Sequence, residues 1–148
     1  MSGDSIENFL GLLKKSPSGA VFNPWWQVDE ENDIGRKAPR IRREQLRAYL
    51  CDRLGKARLA IIGEALGYRG GHFSGIPMTS ERLLLGRKTG IAPERILLGI
   101  TPQRTSKPEK CPDGFSEQED DCDVHVYFDN DAEGAAPRNA LTLLEMLR

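Results

Sequence analysis

Cysteine, histidine and long apolar runs are scarce in this chain, and each shortage removes a class of function. Three cysteines (Cys51, Cys111, Cys122) and two histidines (His72, His125) are spread over 148 residues. None of the cysteines forms a C-x-x-C pair, so a zinc or iron–sulfur site within one chain is not expected, and no metal or other cofactor is assigned. No apolar run approaches the ~20 residues of a membrane span, so no membrane partner is expected. The spacings of a P-loop, a dinucleotide fingerprint and a G-x-S-x-G nucleophile elbow are also missing. The opening "MSGDSIENFLGLLKKS" puts acids before lysines, the reverse of a secretory signal, and a cytoplasmic location is expected.

What is present is the composition of an ordinary globular domain, 39% apolar and 29% charged, in a chain long enough for one core. The net charge of -1 hides a division. Up to Glu117 there are 19 Lys and Arg against 14 Asp and Glu; from Gln118 onward there are 2 against 8. A body that faces a polyanion and an acidic end would give this asymmetry, and so would two solvated faces.

Periodicity predicts the elements. Ile6, Phe9, Leu10 and Leu13 share one helical face, and Asp4 with Glu7 resembles a capping box, so a helix is expected over about 5–15. "VFNPWWQVDEENDIGRKAP" reads as a long loop, and long loops inside compact domains tend to be functional. Trp25 and Trp26 within it read as a core plug and its neighbour. In "IRREQLRAYLCDRLGKA" the residues Ile41, Leu46, Tyr49, Leu50 and Leu54 form an apolar stripe, with Arg42, Arg43 and Arg47 assigned to the opposite face. "RLAII" reads as a buried parallel strand, and 96–100 and "DVHVYF" as further strands. Thr79 or Ser80 is expected to cap a helix containing Glu81. Pro137 starts a last helix with Ala140, Leu141, Leu144 and Leu147 on one face. Helix, strand, Gly-rich loop and helix in succession imply an α/β fold.

The chemistry concentrates in "IIGEALGYRGGHFSGIPMTSERLLLG". Glu64 ends the apolar run and is followed by four glycines and a proline before the next helix. In open α/β sheets ligands sit at the carboxyl ends of strands. A carboxylate there, beside backbone free to approach a ligand, can hold a water as general base. It can equally cap a backbone amide. His72 reads as a loop surface residue, His125 as a polar-face strand residue, and Asp129–Asp131 as a turn rather than a calcium loop.

"GEALG" followed by "FSGIPMTSERLLLG" resembles the first motif region of the uracil-DNA glycosylase superfamily, and "VFNPWW", "RREQLRAYL" and "GITPQRTSKPEKCPDGFSE" resemble one bacterial branch of it. The similarity covers roughly residues 5–117. It implies an incomplete three-layer sandwich around a short, mainly parallel sheet. It implies Glu64 as the water-activating acid and Gly63, Ala65 and Gly67 beside the deoxyribose and base. Pro77 and Met78 match an element whose aromatic stacks on uracil. Met78 departs from that aromatic, and Leu66 from the family's proline; Phe73 is a second aromatic candidate for the pocket. Phosphate contacts fall to Arg42, Arg43, Arg47, Arg69, Arg104 and Lys107. The implied reaction is hydrolysis of the N-glycosidic bond of a uracil flipped out of DNA, as in base excision repair, with uracil-containing DNA as the partner.

The family's second motif, which supplies a donor to the departing base, is missing. After Glu117 the chain turns to an acidic segment whose "VYFDND" and "APRNALTLLEML" resemble the last strand and helix of the YecE-like TIM-barrel family. The chain therefore divides into a truncated glycosylase-like body, 1–117, and an acidic strand-helix tail, 118–148, expected to pack on the same domain. One oxyanion-type donor contributes ~10²–10³ in rate, so weak or absent turnover is expected. A non-catalytic nucleic-acid-binding or protein-interaction remnant is the alternative. An unpaired sheet edge offers a route to a homo-oligomer.

Overall fold

In a computed structural model the described residues are 2–15, 21–59, 67, 70–88 and 90–110. They form two longer helices, α1 (Ser2–Leu13) and α2 (Ala38–Arg53), and two single-turn helices, α3 (Gly71–Ser74) and α4 (Glu81–Leu84). A 3-10 turn, Pro93–Arg95, follows. No helix among them is long and apolar enough to cross a membrane.

The expected α/β sandwich is not what these residues show. They are mostly helical and contain no strand; the only β pairing among them is an isolated antiparallel bridge between Asp33 and Ser106. Where a strand is expected over 96–100 the chain makes a turn at Ile96 and bends over 98–100, directly after the 3-10 turn. Pro93 fixes the turn, its carbonyl accepts from the amides of both Ile96 and Leu97, and Gly99 at φ 78 ends any extended run. Ile96 and Leu97 still reach the core, but from a turn rather than a pleat. Of "RLAII", Arg58 and Leu59 are exposed and irregular, and the rest lies outside the described residues, as do "DVHVYF", the acidic tail and the 117/118 boundary. The sheet edge invoked for a homo-oligomer is likewise not found among the described residues.

α2 is the spine. Pro39 stands in its first turn, where a missing N–H costs nothing, and the Leu54 amide closes its end on the Leu50 carbonyl. One flank joins Leu46 to Ile6 and Leu10 of α1, with Leu13, Trp25 and Leu50 around them. The other touches a second cluster, Ile76, Leu84, Ile96 and Leu97, through Ala48 and Tyr49. The expected apolar face of α1 is corrected at Phe9, which is exposed, and that of α2 at Leu54.

The larger correction concerns Arg42. Its side chain is 0% exposed and forms a two-pronged ion pair with the equally buried Asp33, at 2.6 and 2.9 Å. Its Nε donates to the Pro24 carbonyl at 2.6 Å, and Nη2, one of the two nitrogens on Asp33, also donates to the Gln27 carbonyl at 3.2 Å. A phosphate contact from Arg42 is therefore not available. Helical geometry explains the burial: four residues from Ala38 and Leu46 and three from Gln45, Arg42 lies within the buried face of α2.

The segment 21–34 is consequently a fastened loop. The Asp29 carboxylate accepts from the Glu31 and Asn32 amides, and Asp33 accepts from the Asp29 amide at 2.9 Å. The Ile34 amide donates to Thr105 and the Lys107 amide to Asn32, tying the loop to the 103–107 segment. From α4, the buried Glu81 carboxylate accepts from the amides of Thr105 and Ser106 and from the Ser106 hydroxyl. Ser80 caps α4 as expected, through the Leu83 amide at 3.3 Å.

Removing one partner of a buried pair strands the other. Arg42→Met is expected to cost about 3–5 kcal/mol in urea denaturation, and Arg42→Met with Asp33→Leu to recover a large part of it. Equal losses in the single and double variants would contradict this account.

Candidate functional site: the 67–80 turn

At Gly67 and from Gly70 to Ser80 the chain turns on itself, with Pro77 and Met78 exposed and Ser80 buried again. The Gly67 carbonyl accepts from the amides of Gly70 (3.1 Å) and His72 (3.2 Å), which starts α3. Gly75 ends it at φ 76, its amide bonded to the Gly71 carbonyl at 2.8 Å. Only glycine fits there. A Cβ would sit 2.7 Å from both the Cβ and the carbonyl oxygen of Arg42. The Gly75 carbonyl accepts from the Trp25 indole at 2.9 Å, and the Gln45 amide donates to the Ser74 carbonyl at 2.8 Å. Gln45 also accepts from the Gln103 amide, joining the turn to the 103–107 segment.

Ile76 then enters the core, while Pro77 and Met78 turn outward. The Thr79 amide donates back to Ile76, enclosing Pro77 and Met78 in a four-residue turn. Met78 occupies φ 54 and is 47% exposed. Proline suits the first inner position of such a turn; the second normally takes glycine or asparagine. A non-glycine residue held there costs of order 1–3 kcal/mol and persists only where its surroundings over-determine it. Ser74 supplies that constraint: its hydroxyl, fully buried, donates to the Thr79 carbonyl at 2.6 Å and accepts from the Ile76 amide at 3.0 Å.

Behind the turn lies a pair that sequence reasoning missed. His72 is 8% exposed, not a surface residue. Its Nε2 lies 3.1 Å from Asp29 Oδ2; its ring stacks on Phe22, with centroids 4.8 Å apart, and meets Phe73 edge-on at 4.5 Å. The two residues are 43 positions apart, and no spacing rule announces them. Burial pushes the imidazole below its ordinary value of 6.5, and the Asp29 hydrogen bond opposes this only in part. Burial alone would raise the Asp29 carboxyl, but hydrogen bonds from Asn32 and His72 outweigh it and hold that group below its usual 3.8. The pair orients the loop against the turn.

The remaining expected site residues fall in different places. Phe73 is buried with its carbonyl accepting from the Thr105 hydroxyl at 2.6 Å, so the expectation that it offers an open aromatic face is corrected. Pro77 and Met78 are exposed together. Arg43 is half-buried and donates to the Trp25 carbonyl; Arg47 is exposed and paired with Glu7 at 2.8 Å. Arg104 is half-buried in the 103–107 segment, and the Lys107 ammonium is spent on the carbonyls of Glu30 and Glu31. Glu64, Gly63, Ala65 and Arg69 lie outside the described residues. A groove beside α2, lined by Ile41, Ala48, Cys51, Leu98 and Ile100 among others, includes Arg47 but none of Gly67, Phe73, Pro77 or Met78. No group of three or more His, Cys, Asp or Glu suited to a metal occurs among the described residues.

Set against protein-family models, curated proteins and solved structures, the chain matches none.

The sign of the pH dependence follows from His72. With its pKa lowered by folding, it favours the folded state most above its ordinary value of 6.5, and that contribution is lost as pH falls through the folded-state pKa. Thermal melts from pH 8 down to pH 5 are expected to show stability falling on the acid side, with a smaller fall in His72→Gln. An identical profile in the two proteins would contradict the assignment.

Proposed function

We propose that this protein acts on DNA in the manner of a uracil-DNA glycosylase, hydrolysing the N-glycosidic bond of a flipped uracil, with slow turnover. The observation that supports this reading is Met78. It is the residue that the glycosylase resemblance places against the base, and it is held exposed, at φ 54, on a turn that Ser74, Gly75 and Ile76 fix from behind. Backbone strain retained at an exposed apolar residue has a use where a ligand must meet that residue in one position. A thioether packs on the edge or face of a ring with ~0.3–1.5 kcal/mol of attraction, less specifically than an aromatic. The reading rests on this turn and not on any sheet.

In this reading Glu64 holds the attacking water. Water adds to the sugar carbon as the bond to the base breaks, its proton passes to the Glu64 carboxylate, and uracil departs carrying negative charge. The resemblance gives backbone amides of the Gly-rich loop a part in meeting that charge, while the family's second donor is missing from the sequence, which slows the reaction by ~10²–10³.

Single-turnover release of uracil from a labelled oligonucleotide tests this directly. Wild type is expected to release uracil slowly and Glu64→Gln not at all. Met78→Gly is expected to relieve the strained φ, melt no lower than wild type, and still release uracil more slowly. No release from wild type, or equal release from Glu64→Gln, would overturn the proposal.

A further inference from the structure

α2 carries two opposed faces, and the second has work to do. At about 100° per residue, Arg40, Arg43 and Arg47 fall within about 60° of one another, opposite the face that buries Ala38, Arg42 and Gln45. Arg36 and Lys37, both exposed, extend the row past the helix start. A sixth cation comes from the end of α1. The Lys14 ammonium lies 5.4 Å from the centre of the Trp26 ring, and the Arg43 guanidinium carbon lies 4.0 Å from the same centre. Trp26 thus gathers cations from two separate segments, and the Trp25 carbonyl holds Arg43 in place.

The row is under-neutralised. Its carboxylate partners are Glu44, on Arg40 at 2.9 Å, and Glu7, on Arg47 at 2.8 Å. Both pairs are exposed, and such pairs contribute ~0–1 kcal/mol, little enough for a phosphate to displace them. Like charge is crowded here. Burial first, and then Arg40, Arg47 and Arg42, lower the pKa of Arg43, against the single opposing influence of Glu44.

The dimensions suit a polymer of phosphates. From Arg36 to Arg47 the row runs about 16 Å at 1.5 Å per residue. A duplex strand presents a phosphate every ~3.4 Å of its axis, so the row spans about five. A guanidinium stacked on an indole is pre-ordered and loses little freedom when it meets a phosphate oxygen.

We infer that the face of α2 bearing Arg36, Lys37, Arg40, Arg43 and Arg47, completed by Lys14 over Trp26, is a track for the phosphate backbone of DNA. The inference rests on the proposed function only for the identity of the partner. It assigns contacts to residues that do not touch the 67–80 turn and that need no uracil.

The test is fluorescence anisotropy with a labelled 20-base-pair duplex containing no uracil, titrated from 50 to 200 mM salt. Wild type is expected to weaken steeply, log K falling by ~0.9 per neutralised phosphate for each unit of log salt. The triple variant Arg36→Gln, Lys37→Gln, Arg40→Gln alters exposed side chains only. It is expected to bind about ten- to a hundredfold more weakly, with the slope reduced by about two to three. A charge-matched variant, Arg58→Gln, Lys88→Gln, Arg95→Gln, is expected to keep most of the wild-type slope. Arg43→Gln, checked for folding by thermal melt, is expected to weaken binding further. Equal loss in the two triple variants, salt-independent binding, or no binding by wild type would overturn the inference. Salt-dependent binding through α2 without uracil release would sink the proposed reaction and leave the track standing.

Discussion

A guanidinium shut away from water must find acceptors for its N–H groups, and Arg42 finds them in Asp33, Pro24 and Gln27. That one requirement fixes the path of the long loop against α2. It also sets the 67–80 turn, because Gly75 packs directly on the Arg42 backbone and Cβ, and Trp25, in the same loop, donates to the Gly75 carbonyl. Asp33 carries the constraint onward, since its backbone bridges to Ser106 while Glu81 grips the same segment from α4. Four stretches distant in sequence thus meet around a pair with no exposed side-chain surface. The isolated worth of such a pair is small once desolvation is counted, so its role is to specify a single arrangement.

Much of this is legible in the chain, and the misses have physical causes. Helical spacing finds α1 and α2 to within a few residues, and Ser80 announces α4 through its cap. Arg42 was assigned to solvent because it is charged, although its spacing from Ala38, Gln45 and Leu46 places it inside. When charge and periodicity disagree, periodicity reports where the backbone points, and an acid elsewhere must then answer the charge. The apolar run 96–100 reads equally as strand or turn, and Pro93 and Gly99 decide for the turn. His72 with Asp29 was out of reach, because nothing local to either residue encodes a contact across 43 positions.

The turn shows how the constraint reaches the surface. Gly75, Ser74 and Ile76 are each committed to the interior, so the strain at Met78 cannot relax without disturbing the core. An apolar side chain is thereby offered to solvent in one orientation, while the opposite side of α2 offers charge. The proposed reading assigns the first surface to a base and the second to a phosphate backbone.

Arg42 makes the loop, the turn and the 103–107 segment one cooperative unit. Amide hydrogen exchange at Ile34, Gly75 and Lys107, compared between wild type and Arg42→Lys, tests it most directly. Lysine keeps the charge but not the two-pronged geometry. Protection is expected to fall at all three amides together. Loss at Ile34 with Gly75 and Lys107 unchanged would contradict it, because the turn would then stand without the pair.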